Sequence, residues 1–187
     1  MISNIYIENN RKAVTFSVNA SEQDTLKYIY VDLFSNRKNI TSTNPEEHNY
    51  KIYAKDMHVE SNAWEHIYRL SSKMLCQDYF ESLYIITFVY NNDKTEQKVI
   101  FNENELYFLR LNYLTKHCNN CIDKNNSKII MNLLFRETLL KNAIALNRID
   151  DSINYYEDVI KAYGCYSKSD KIYNNVTSKC SSGTCKV

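Results

Sequence analysis

The spacing of apolar residues changes once along this chain, at Asn102, and that change governs what the polypeptide can fold into. Before it, apolar and polar residues alternate. In KAVTFSVNA, Val14, Phe16 and Val18 interleave with Thr15 and Ser17, the period-two pattern of a half-buried strand. LKYIYVDLFSN sets Ile29, Val31 and Leu33 on one face and Tyr28, Tyr30 and Asp32 on the other. SLYIITFVYNN sets Leu83, Ile85, Thr87 and Val89 against Tyr84, Ile86, Phe88 and Tyr90, and an Asn-Asn-Asp turn leads into EQKVIF. With NIYIE, YKIYA and WEHIYRL, residues 1–101 predict seven short strands between polar turns, an antiparallel β-sandwich. The only proline lies in NRKNITSTNPEEHN, which reads as a surface loop.

After Asn102 the spacing is helical. FNENEL places an asparagine three residues before Glu105, close to the capping-box pattern, and Leu106, Leu109, Tyr113, Leu114 and His117 follow on one face. Ser127 is the expected cap of a second helix, SKIIMNLLFRETLLKNAIALN, apolar over a wide arc and so expected at the centre. The third is expected from Asp150 or Asp151, with Ile149, Ile153, Tyr156, Ile160 and Tyr163 as its stripe. The short NRIDD turn makes the second and third helices an antiparallel hairpin. The predicted class is therefore α+β: a sandwich over 1–101, a three-helix region over 102–164 and a polar, cysteine-containing tail over 165–187.

Chemistry is harder to find. KHCNNCIDKNNS carries Cys118 and Cys121 at a spacing that wraps two thiolates around zinc, and a closed site needs two further ligands. Cys180 and Cys185 are the candidates, with Cys165 as the alternative. A structural zinc is the one cofactor the chain allows. Against it, each cysteine also serves as a small apolar side chain, and a lone C-x2-C does not displace that reading. A redox pair fits poorly, because Cys118 ends a helix whose carbonyl dipoles disfavour a thiolate. Cys76, in the strand region, is expected in the core.

No catalytic residue is assigned. The histidines at 48, 58, 66 and 117 are scattered, and two glycines supply neither a phosphate-cradling loop nor a nucleophile elbow. The net charge of +1 implies no general attraction to nucleic acid or membrane. The tail's four lysines against one aspartate, among Tyr166 and Tyr173, read first as solvation, so no nucleic-acid site is assigned either. No apolar run reaches the ~18 residues of a membrane span, and MISNIYIENNRK lacks a signal-peptide core. The expectation is folding in a reducing cytoplasm, without a membrane, the six cysteines held as thiols or metal ligands. With 24 asparagines, 18 isoleucines and 16 tyrosines, a bias of AT-rich genomes, no single Asn or Tyr carries weight alone.

The run NENELYFLRLNYLTKHCNNCIDKNNSKIIMNLLFRETLLKNAIALNRIDDSINYYEDVIK resembles the neck, or head-to-tail connector ring, proteins of crAss-like Bacteroides tailed phages. The likeness lies in a capped helix ending in C-x2-C, a Leu-rich helix, a short acidic turn and a third helix, over residues 102–164. It implies a non-enzymatic virion protein, assembled in the host cytoplasm as a homo-oligomeric ring. Such a ring contacts portal and tail or neck proteins, and touches DNA only in its channel. Head-to-tail rings bury two different patches per subunit. Tyr28, Tyr30, Tyr84, Tyr90 and Tyr155 are the tyrosines put forward for them, with packing inside the monomer the expectation for most. The competing reading is a soluble sandwich that binds a glycan or protein through Trp64 and Tyr68, the helices acting as an adaptor.

Overall fold

The computed structural model describes residues 2–8, 10–20, 25–34, 48–80, 82–117 and 124–163. The chain divides into two compact units, Met1–Phe101 and Asn102–Val187. Among its described residues the first holds eight strands: β1 (Ile2–Ile7), β2 (Ala13–Asn19), β3 (Leu26–Leu33), β4 (Tyr50–Tyr53), β5 (His58–Ser61), β6 (Glu65–Ser71), β7 (Leu83–Tyr90) and β8 (Thr95–Phe101). They form two four-stranded sheets, ordered β1-β2-β6-β5 and β4-β3-β7-β8, with every pairing antiparallel. Lettered along the chain, this is A-B-E-D facing C′-C-F-G, the strand order of immunoglobulin-type sandwiches. One strand escapes sequence reading. HVES has a single apolar residue and no alternation, and β5 forms because β6 supplies a ladder for it.

The expected faces hold in β2, β3 and β7. Val14, Phe16, Val18, Ile29, Val31, Leu33, Ile86 and Phe88 join one buried cluster between the sheets. At its centre the rings of Phe16 (β2) and Phe88 (β7) meet edge to face, 4.9 Å between centroids, and Tyr68 stacks on Phe16 at 5.4 Å. In antibody domains a disulfide joins the corresponding strands, B and F. Cys76 is not in this core. It is exposed and left-handed (φ 52°), closing the 3-10 turn Ser72–Leu75, where the chain must bend and packing selects no particular side chain.

The two sheets are pinned where β1 meets β8. The Ile2 amide donates to Glu96 Oε2 at 3.0 Å, the Tyr90 hydroxyl donates to the same oxygen at 3.0 Å, and Lys98 Nζ lies 3.0 Å from Oε1. Burial alone would raise the Glu96 pKa. The Ile2 amide, the Lys98 ammonium and the Tyr90 hydroxyl together outweigh it and hold the carboxyl below its usual range. The stability that Glu96 contributes is therefore present above the ordinary glutamate range and is lost as pH falls through the lowered value. Glu96→Gln is expected to cost about 1–3 kcal/mol at neutral pH. Denaturant midpoints of variant and wild type should converge in acid, and a gap that stays constant with pH would refute this account.

The second unit comprises α1 (Glu103–His117), α2 (Lys124–Ala145) and α3 (Ile149–Ala162). Asn102 caps α1 as expected, its Oδ1 accepting from the Asn104 amide at 3.1 Å. α2 begins one turn earlier than Ser127, which lies inside the first turn, where amides have no helical partner and short polar side chains are tolerated. α3 begins at Ile149 with Arg148 as an N-cap that makes no side-chain bond; Asp150 and Asp151 fall in the first turn, facing the helix dipole. The pair Arg136–Asp158 joins α2 to α3, while Lys141–Glu103 and Arg110–Glu137 join α2 to α1. From Glu103–Lys141 to Arg110–Glu137 the α2 number falls as the α1 number rises, and Arg136 and Asp158 lie equally far in sequence from Asn147 in the connecting turn, so neighbouring helices run antiparallel. α2 is not buried all round: Leu133, Leu140 and Ala143 are sequestered, whereas Ile129, Met131 and Phe135 are exposed.

Candidate functional site

Two surface regions of the sandwich and one of the helical unit stand out. On the outer face of the second sheet, Tyr28 and Tyr30 lie two apart on β3, opposite Tyr53 and Lys51 of the edge strand β4. The Tyr28 ring meets Tyr30 at 5.2 Å and Tyr53 at 6.0 Å, both edge to face. Lys51 Nζ sits over these rings, 4.0 Å from the Tyr28 centroid and 5.1 Å from that of Tyr53; Lys55 Nζ is 5.6 Å from Tyr53. Among the described residues no carboxylate pairs with either lysine, so aromatic faces hold the Lys51 charge. Tyr30 is the buried member. Burial, with the Tyr28 hydroxyl beside it, pushes its pKa up to about 12. Its ring stacks on His48 at 4.1 Å, and His48 Nδ1 lies 2.7 Å from Asp32 Oδ2. Asp32 Oδ1 accepts from the Asn49 amide and Asn49 Oδ1 from the Leu33 amide, so this polar cluster binds β3 to the segment entering β4.

The second region is the β5–β6 hairpin. Asn62 Oδ1 accepts from the amides of Trp64 and Glu65, fixing a tight turn, and Trp64 at its tip is 84% exposed. Every residue of β5 is exposed, including Val59, which points to the same face as the buried Tyr68. Trp64 thus lies in the turn rather than in a strand, and Tyr68 is a core residue. The expected aromatic pair reduces to Trp64 alone. Ser61 Oγ lies 2.8 Å from His66 Nδ1, an exposed polar contact beside that turn.

In the helical unit the buried polar centre is Glu137 of α2, 3% exposed. Arg110 of α1 grips its carboxylate with two nitrogens, and the hydroxyl of Tyr163, just beyond α3, donates to Oε1. One carboxylate therefore joins all three helices. Burial and the Glu137 charge hold the Tyr163 pKa far above its ordinary value. Sequence reading missed this cluster, although a signal existed. Leu133, Glu137, Leu140 and Ile144 share one helical stripe, and an acid in such a stripe requires a partner. Away from this centre the helices leave large apolar side chains exposed: Tyr107, Phe108 and Leu111 on α1, and Met131 and Phe135 on α2, the last two 66% and 63% exposed.

Of the five tyrosines put forward for subunit contacts, Tyr84 and Tyr90 face the sandwich core and offer no surface, because β7 is central and buried along its whole length. Tyr30 is buried, while Tyr28 and Tyr155 are half-buried. Cys118, Cys121, Cys165, Cys180 and Cys185 lie outside the described residues, as do Tyr166 and Tyr173. Among the described residues no three histidines, cysteines or acids gather to hold a metal ion, and no helix is long and apolar enough to cross a membrane. No family model matches the chain, and no curated protein matches it in sequence.

Proposed function

We propose that this chain is a structural protein that works by assembling with copies of itself, as part of the head-to-tail connector ring of a tailed phage. The supporting observation is the set of large apolar side chains that α1 and α2 leave exposed, Tyr107, Phe108, Leu111, Met131 and Phe135. Exposed apolar side chains grouped on one helix face, as on α1 and again on α2, mark an interaction site. The placement in a phage neck, with portal and tail proteins as neighbours, rests on the resemblance of residues 102–164. Purified chain, alone and mixed with a portal assembly, is expected to sediment as a closed oligomer and to form rings under the electron microscope. Serine at both Met131 and Phe135 should weaken that assembly roughly a hundredfold, since each is a well-placed apolar anchor. A chain that stays monomeric at every concentration in both settings refutes the proposal.

A second reading keeps one specific observation. Trp64, the only tryptophan, stands at the tip of a turn held rigid by Asn62. An exposed indole suits the apolar face of a sugar or a partner's pocket. Because it is the sole tryptophan, its fluorescence reports any such ligand directly. Emission unchanged across a panel of glycans removes the glycan form of this reading.

A further inference from the structure

The geometry points to a specific contact between copies: we propose that edge strand β4 of one subunit pairs antiparallel with edge strand β5 of the next, Lys51 opposite Glu60 and Ile52 opposite Val59. This rests on the assembly reading above and gives it a contact within the sandwich.

Both strands end a sheet, β4 in the order β4-β3-β7-β8 and β5 in β1-β2-β6-β5. Each therefore has one side of its backbone without a ladder partner among the described residues, which is the template for strand addition. Their side chains complement one another. On β4, Lys51 and Tyr53 point outward while Tyr50 and Ile52 pack against the core cluster. On β5, His58 and Glu60 share one face while Val59 and Ser61 point to the side of the core residue Tyr68. An antiparallel register that sets Glu60 against Lys51 also sets His58 against Tyr53, Val59 against Ile52 and Ser61 against Tyr50. Outward residues then meet outward residues and inward meet inward. A parallel register that keeps Val59 against Ile52 sets His58 against Lys51 and Glu60 against Tyr53, losing the charge pair.

Two observations favour a real contact over a blunted edge. A lysine on an edge strand commonly serves to repel stray strands. Here, however, the Lys51 ammonium has aromatic faces and no acid among the described residues, while Glu60 has only an exposed histidine, His58 Nε2 at 3.4 Å. Val59, turned to the core side, is 37% exposed, so β5 lacks the cover that an incoming strand's Ile52 supplies. Each copy carries both strands, so the pairing can repeat from one subunit to the next around a ring or form twice across a two-fold axis, and the wild-type sedimentation coefficient tells the two apart.

The test uses the full chain in three variants, Lys51→Glu, Glu60→Lys and the double exchange, followed by sedimentation velocity across concentration. Each single reversal is expected to weaken association roughly a hundredfold by setting like charges together, and the exchange to restore it. Amide hydrogen exchange supplies a second readout: residues 50–53 and 58–61 should gain protection as concentration rises. If the single variants assemble like wild type and those amides gain nothing while the Met131/Phe135 variant dissociates, the edge contact is refuted and the assembly reading survives. If wild-type chain never associates, alone or with portal, both fall.

Discussion

Glu137→Ala is expected to destabilise the helical unit by about 3–5 kcal/mol, the cost of removing one partner from a buried ion pair. Its carboxylate receives Arg110 from α1 and Tyr163 from the end of α3, so alanine strands a guanidinium and a phenol together. Glu137→Gln should lose less, since an amide oxygen still accepts. Combining Tyr163→Phe with Glu137→Ala should give less than the sum of the two single losses, because the residues share one network. Denaturation followed by far-ultraviolet circular dichroism reads the helices; amide hydrogen exchange in the strands of the sandwich serves as the control. A loss below about 1 kcal/mol would mean that the carboxylate is not the link it is taken to be.

Alkali should unfold the sandwich well before it harms an ordinary domain. Burial raises the pKa of Tyr30, Tyr68 and Tyr84, and Tyr30 stands at about 12. An unfolded tyrosine ionises at about 10. The stability these groups confer is complete below that value and drains as pH climbs toward the folded values, because the unfolded chain releases protons that the fold retains. For Tyr30 alone the loss across ~10 to ~12 is about 3 kcal/mol. Tyr84, with no hydrogen-bond partner for its hydroxyl among the described residues, should add to it. Tyr84→Phe forfeits no described bond and should be both less alkali-sensitive and no less stable at neutral pH. Tyrosinate absorbance followed beside the unfolding midpoint checks this; tyrosines ionising together near 10 with the fold intact would contradict it.

Where one physical rule dominates, the residues announced the structure. The alternation of Val14, Phe16 and Val18 and of Ile29, Val31 and Leu33 sufficed because a strand with one dry face leaves no other register. Asn102 marked the start of α1 because a capping oxygen works locally, and the division between the units falls where the hydrophobic spacing changes. Legibility failed where distant partners decide. β5 exists through its ladder with β6, and nothing in HVES declares it. Tyr68, Tyr84 and Tyr90 read as amphipathic faces, yet two packed sheets bury them. Of the candidate surfaces, Tyr28 beside Tyr30 was visible as a pair, but the placement of Lys51 and Tyr53 against them depends on the β3–β4 register. The Glu137 cluster required seeing that Arg110 and Tyr163 converge on one acid from 27 and 26 positions away.

The meeting of Phe16 and Phe88 sets the conditions under which this sandwich matures. Residues 1–101 contain one cysteine, Cys76, so the unit has no internal bridge to close. Its two layers are held by the packed core around Phe16 and Phe88 and by the contacts to Glu96, and reaching the native state consumes no oxidant and waits on no thiol exchange. Reductant should therefore leave the folding rate and yield of this unit unchanged.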